Sequence, residues 1–156
     1  MQKVDELIDR FRVIDKERMQ GLPFYNPQLS VEGIDFQQIE LGYVGALVTP
    51  WFINIILLYE KPPQTSTPQG NWLRHHFPSG EHEFMAGEDE QLGRYDFISL
   101  ASPTSKYKSQ QQACDFARKK LKNIVSADFD RGEEKPVKFM VVEDEKLSRR
   151  DFLGGK

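Results

Sequence analysis

A chain of 156 residues with 38% hydrophobic and 29% charged side chains suits one compact domain whose core stands without covalent staples. The formal net charge of -3 excludes a general nucleic-acid binder, which needs a surplus of Lys and Arg. The single cysteine, Cys114, excludes internal disulfides and multi-cysteine zinc or iron–sulfur sites, and it fits a reducing compartment.

The first residues, Met1-Gln2-Lys3-Val4-Asp5-Glu6, are too acidic for a signal peptide and lack its apolar run. Val4, Leu7, Ile8, Phe11 and Ile14 recur at three- and four-residue steps, so residues 3–19 are predicted to form an amphipathic helix. Gly21 and Pro23 stop it, and Gly-Leu-Pro-Phe-Tyr-Asn-Pro makes residues 21–33 an ordered, turn-rich connector. Strands follow at Ile34–Ile39, Tyr43–Val48 and Ile53–Leu58, the last apolar on both faces and therefore central and doubly covered. No charge falls between Leu41 and Tyr59, close to the ~20 residues of a membrane helix. Thr49-Pro50, Asn54, the acidic flanks and the β-branched content assign this stretch to strands, so no membrane span is expected and a cytoplasmic location is.

Residues 61–70 form a Pro-rich loop, tolerant of insertion. Trp72–Phe77 and Glu81–Ala86 are predicted to form a hairpin around a three-residue Pro78-Ser79-Gly80 loop, followed by a strand at Tyr95–Leu100. A second helix near 105–125 puts Tyr107, Gln110, Cys114, Ala117, Leu121, Ile124 and Val125 on one face, and Val137–Val142 is a last strand. The fold class is α+β: a mostly antiparallel sheet of six to seven strands with an N-terminal and a second long helix packed on it. One domain is expected over residues 1–142, with a tail over 143–156.

Candidate chemistry is sparse. A three-residue loop at 78–80 would set His76 opposite His82 and His75 opposite Glu83, at a cross-strand spacing of ~5 Å. His76, His82 and Glu83 thus form a candidate nickel or zinc set, against the reading of surface strand histidines. Cys114 lies on the apolar seam of its helix with no histidine nearby, which suits packing rather than nucleophilic attack. Ser79 lacks the Gly-x-Ser-x-Gly frame, and no phosphate loop or dinucleotide fingerprint is present, so neither catalysis nor a cofactor is expected. Thr49-Pro50-Trp51-Phe52 places two large aromatics at a chain reversal. They serve either as an exposed anchor for another protein or as a cap on the sheet's own core.

Several blocks resemble those of one family in its order. Arg18-Met19-x-Gly21-Leu22-Pro23 and Asn26-Pro27-x-Leu29 look like its opening block, and Gly45-x-Leu47-x-Thr49-Pro50-Trp51-Phe52-x-Asn54 its central one. Phe77-Pro78-x-Gly80-x-x-x-Phe84, Tyr95 and Ser99-Leu100-x-Ser102-Pro103 look like its later blocks. On these residues the chain resembles the HybE/HupJ/HoxT family of [NiFe]-hydrogenase maturation chaperones, over roughly residues 18–125. The resemblance implies a binding protein for hydrogenase precursor subunits, and for other maturation proteins, that coordinates assembly with twin-arginine export. Some members carry a rubredoxin domain; one cysteine leaves no such iron centre here. Leu58-Tyr59-Glu60 stands where the family has Leu-Pro, so the following loop departs from the pattern.

The resemblance marks Trp51, Phe52 and Asn54 as contact residues directed by Thr49 and Pro50. Gly21, Leu22, Pro23, Asn26 and Pro27 shape a neighbouring loop, with Pro78, Gly80, Ser102 and Pro103 as further turn positions. In the tail, Ser148-Arg149-Arg150-Asp151-Phe152-Leu153 is similar to the core of a twin-arginine signal, though no apolar region follows it. Either it imitates a client's signal peptide, occupying the peptide groove until that client displaces it, or it is a solvated tail or a last turn that docks Phe152 and Leu153 as ordinary packing.

Overall fold

The periodicity of the first residues becomes helix α1, Gln2–Ile14, which buries Val4, Leu7, Phe11 and Ile14 along one stripe. In the computed structural model, residues 2–63 and 68–126 are described; the expected strand Val137–Val142, the 142/143 boundary and the twin-arginine-like tail lie outside them. The helical path does not run unbroken to residue 19. It widens into one π-helical turn, Asp15–Met19, where the Gln20 amide donates to the Asp15 carbonyl at 3.3 Å. Gly21, at φ +89°, then turns the chain away.

Six strands follow: β1 Glu32–Gln38, β2 Gly42–Val48, β3 Ile53–Tyr59, β4 Trp72–Phe77, β5 Gly80–Asp89 and β6 Gly93–Ala101. They form one sheet of order β1-β2-β3-β6-β5-β4 in which every neighbouring pair is antiparallel. A second helix, α2 (Gln110–Val125), is capped by the Ser109 hydroxyl, which accepts from the Gln112 amide at 3.1 Å.

The two helices cover opposite faces. α2 sets Ala113, Cys114, Ala117 and Leu121 against Ile34, Val44, Ile55 and Leu57. α1 sets its stripe against Leu47, Ile56 and Leu58. Successive β3 side chains alternate between these two cores, so all seven of its residues are buried. Each large side chain so buried stabilises the fold by about 2 kcal/mol, before the entropy of ordering it. The expected central strand and α+β layering are both found. No helix among the described residues is long and apolar enough to cross a membrane; the uncharged stretch 41–59 is β2, a turn and β3.

Two local expectations change. α2 begins at Gln110, because residues 104–107 form a turn closed by the Tyr107 amide on the Thr104 carbonyl at 3.0 Å. The β4–β5 connection is a two-residue turn at Pro78-Ser79, since Gly80 (φ +127°) already pairs with Phe77. His75 therefore faces His82, and His76 faces Glu81.

Register also fixes where the loops gather. Val48 pairs with Ile53, and Ile53 with Ala101, so the β2–β3 turn and the end of β6 share one end of the sheet. The Pro78-Ser79 turn lies at that end too, two strands to the side.

Candidate functional site

Asn26 ties three separate loops together at that end. It is buried, and its side-chain amide donates to the carbonyls of Thr104 and Tyr107, each at 2.9 Å. Its Oδ1 accepts from the Gln28 amide at 3.0 Å, and its backbone N–H donates to the Pro50 carbonyl at 2.8 Å. The Thr104 hydroxyl donates to the same Pro50 carbonyl at 2.9 Å. Residues 26, 50 and 104, far apart in sequence, are thus fixed by bonds that satisfy their buried backbone groups.

The β2–β3 turn is equally well determined. Thr49 Oγ1 donates to the Phe52 carbonyl at 3.0 Å and accepts from the amides of Trp51 (3.2 Å) and Phe52 (2.9 Å). Trp51 and Phe52 are half-buried: Phe11 of α1 stacks on Trp51 at 6.4 Å between ring centres and meets Phe52 edge-on at 5.7 Å. They cap the α1-side core. Asn54 is buried on β3, and its Oδ1 has no hydrogen-bond partner among the described residues.

The exposed apolar surface at this end belongs to the preceding connector. Leu22 is 37% and Phe24 46% exposed. Beside them lies a cleft of about 430 Å³ walled by Pro23, Phe24, Tyr25 and Pro27 from one segment, and Pro103 and Ser105 from another. The Ser102–Pro103 peptide is cis. The structure therefore brings together Gly21 to Pro27, the Thr49–Phe52 turn and Ser102-Pro103 around Asn26. Pro78 and Gly80 stand apart, where the Ser79 hydroxyl donates to the Ile124 carbonyl at the end of α2.

Among the described residues that line this cleft the titratable side chain is Tyr25, whose pKa is raised by desolvation and by the neighbouring Asp15 carboxylate. The proposed His76, His82 and Glu83 set is not assembled, because the two-residue turn puts His82 on the same sheet face as His75 and leaves His76 and Glu83 on the other. No group of three His, Cys, Asp or Glu side chains among the described residues is placed to hold a metal ion. Burial lowers the His82 pKa, and its Nε2 lies 2.8 Å from Ser79 Oγ.

A polar cluster that sequence spacing does not announce centres on Asp96, fully buried on β6. It accepts from Tyr59, from His75 at 2.7 Å and from Arg94 at 2.8 Å. Desolvation pushes the Asp96 pKa up, but the bonds from His75, Tyr59 and Arg94 outweigh it and hold the carboxyl below its usual range. The cluster joins β3, β4 and β6. Cys114 is buried against Glu32, and desolvation pushes its thiol up to about 11.

The described residues thus form an α+β domain with helices on both sheet faces and an apolar cleft where loops meet. The family model described as "[NiFe]-hydrogenase assembly, chaperone, HybE" matches residues 2–155, and the chain belongs to that family. It is similar to the hydrogenase expression/formation protein HupT of Azotobacter chroococcum, 39% identical over 109 residues, covering 69% of this chain and 72% of the relative. HoxT of Azotobacter vinelandii is 36% identical over 123 residues (78% and 79%), and HupJ of Bradyrhizobium diazoefficiens 32% over 151 residues (97% and 86%). The solution structure of HybE from Escherichia coli shares the fold, with a TM-score of 0.61 at 21% identity, over 94% of this chain and 91% of that one.

Proposed function

We propose that this hydrogenase assembly chaperone acts in the cytoplasm by holding precursor subunits of a [NiFe] hydrogenase. It would retain them until metal insertion is complete and twin-arginine export can follow, without making or breaking a bond. The observation that carries this reading is the cleft beside exposed Leu22 and Phe24, fixed by the Asn26 network. A preformed apolar cleft loses little entropy when it receives a client segment. Trp51 and Phe52 contribute by bracing the turn whose Pro50 carbonyl anchors Asn26. Other maturation proteins are further partners under this reading.

The test is recovery of hydrogenase precursors on the tagged full chain from cells expressing the operon. Wild type should bring them down, and Leu22→Ser/Phe24→Ser, changed only at exposed positions, should lose them while keeping its unfolding midpoint. Absence of precursors from the wild-type sample would refute the client assignment.

A further inference from the structure

The sheet has two edges, and they are finished differently. β1 carries a bulge between Ile34 and Gln37, where Asp35 adopts a φ of +49°. Gln110 and Arg118 of α2 also reach over it to Glu32 and Asp35, so β1 is a poor template for another strand. β4 lacks these guards. It pairs with β5 residue for residue from Trp72 to Phe77 and holds no proline, lysine or carboxylate. Arg74 is answered within the hairpin, by Glu83 at 3.5 Å and Glu81 at 4.0 Å. No strand of the described residues lies on the outer side of β4. Phe77 and Gly80 close a two-residue turn, so Phe77, His75 and Leu73 direct their backbone groups to β5, and Trp72, Arg74 and His76 direct theirs outward. The side chains of these last three are exposed, that of Trp72 by 61%. Trp72 ends a row in which Ile56, Phe97, Met85 and Trp72 stand side by side across β3, β6, β5 and β4. Ile56 is buried on the α1 side, Phe97 and Met85 are half-buried, and apolar surface thus opens toward the β4 edge.

We propose that β4 is a self-association edge, on which β4 of a second copy of this chain docks antiparallel and joins the two sheets into one. The occupant follows from register. Across a two-fold axis the faces and the outward-directed groups must both match, so the axis passes through a residue of β4. Centred on Arg74, it would oppose two guanidinium groups. Centred on His75, it would set Trp72 against Pro78, which has no N–H to donate. Centred on Leu73, it sets Trp72 against Arg74 of the second copy, and Arg74 against Trp72 of the second copy. All four residues direct backbone groups outward, so both pairs exchange hydrogen bonds. Each guanidinium then meets an indole while keeping Glu83 of its own hairpin, and the two Leu73 side chains meet on the opposite face. An unrelated strand would find the same backbone groups, but not the exchange of indole for guanidinium that the order Trp72-Leu73-Arg74 offers to its own copy. The association is independent of what the cleft holds.

The experiment is sedimentation velocity of the full chain from about 1 to 200 µM, with dimer overtaking monomer near about 10 µM, as suits one pair of strands at the small end of protein interfaces. Trp72→Lys opposes like charges in both pairs and should weaken the dimer about tenfold or more. Trp72→Glu replaces stacking by an ion pair with Arg74 and should retain it. Both change an exposed side chain, so unfolding midpoints should match wild type. In Leu73→Cys the new sulfurs meet at the axis, where facing Cα atoms lie about 4.5 Å apart, and mild oxidation should give a covalent dimer. In Arg74→Cys they are displaced along the strands and should not join. Cys114 is buried and stays out of the reaction. A monomer at every concentration overturns the proposal. Equal loss in Trp72→Lys and Trp72→Glu, or crosslinking through residue 74 rather than 73, overturns it as well. Precursor that binds the monomer and is lost in Trp72→Lys would assign this edge to a client instead of a second copy.

Discussion

Asn26→Ala is the most informative single change, because it removes the side-chain bonds that join the connector to the 104–107 turn, keeps the backbone bond to Pro50, and leaves exposed surface unaltered. It deletes two donations of 2.9 Å and one acceptance of 3.0 Å. The three bonds are not equal. The Thr104 carbonyl keeps the Tyr107 amide at 3.0 Å, and Gln28 is exposed, so water takes over its N–H. The Tyr107 carbonyl is the group left short of its partner. Charging about 1 kcal/mol for each of the two replaceable bonds and about 1–2 kcal/mol for the stranded carbonyl gives a loss of about 3–4 kcal/mol. In a domain of this size that lowers Tm by about 10 °C. Urea unfolding followed by tryptophan fluorescence measures it. Thr104→Val removes the hydroxyl bond to the Pro50 carbonyl, and because Asn26 Nδ2 bonds the Thr104 carbonyl directly, its cost should not simply add to that of Asn26→Ala. A loss below 1 kcal/mol for Asn26→Ala, or simple additivity of the pair, would refute the view that these residues act as one clamp.

Other expectations follow from single groups. The Tyr107 hydroxyl is buried without a partner among the described residues, so Tyr107→Phe should leave stability unchanged or raise it by about 1 kcal/mol in chemical denaturation. Cys114, with its thiol held near 11, should react with a disulfide reagent at pH 8 far more slowly than free cysteine, and rapidly once the protein is unfolded. His82 titrates below its unfolded value, so the unfolded chain binds the extra proton first; stability should fall as pH drops through about 6.5, and His82→Gln should flatten that segment. Asp96 and Asp89 are likewise held low, so their contributions are present above about pH 4 and lost on further acidification, readable as a second decline in Tm.

Periodicity made the layers legible, because burial imposes it directly. The doubly apolar run at 53–58 could only be a covered central strand, and the stripe Val4-Leu7-Phe11-Ile14 could only face a core. What failed depended on single residues at junctions. Tyr107 continues the apolar phase of α2, yet it belongs to a turn, since Thr104 bonds Pro50 rather than a helix. A proline, a serine and a glycine in a row suggest a three-residue loop, but a φ of +127° lets Gly80 pair within β5, and that one-residue difference moves His82 to the other face. The Asp96 cluster drew on residues 59, 75, 94 and 96 of three strands, whose alignment no local spacing encodes. The candidate site was partly legible: the blocks around Asn26, Thr49 and Pro103 were singled out, but their meeting was not. Trp51 and Phe52 lie half-buried against Phe11, while exposed Phe24 and the prolines beside it lie in the connector before them.

Gly45 is tightly packed on β2, where a Cβ would run into the ring of Phe36. Its place in the central block therefore records packing, as do buried Thr49 and Asn26, whereas Leu22, Phe24 and Lys106 face outward. On the client-holding reading, fold and recognition would thus be written in different letters of the same motif. If so, transplanting residues 22–25 and 105–106 from a relative that serves another hydrogenase should carry its client preference across while the recipient's scaffold stays intact, and client choice would be a transferable part.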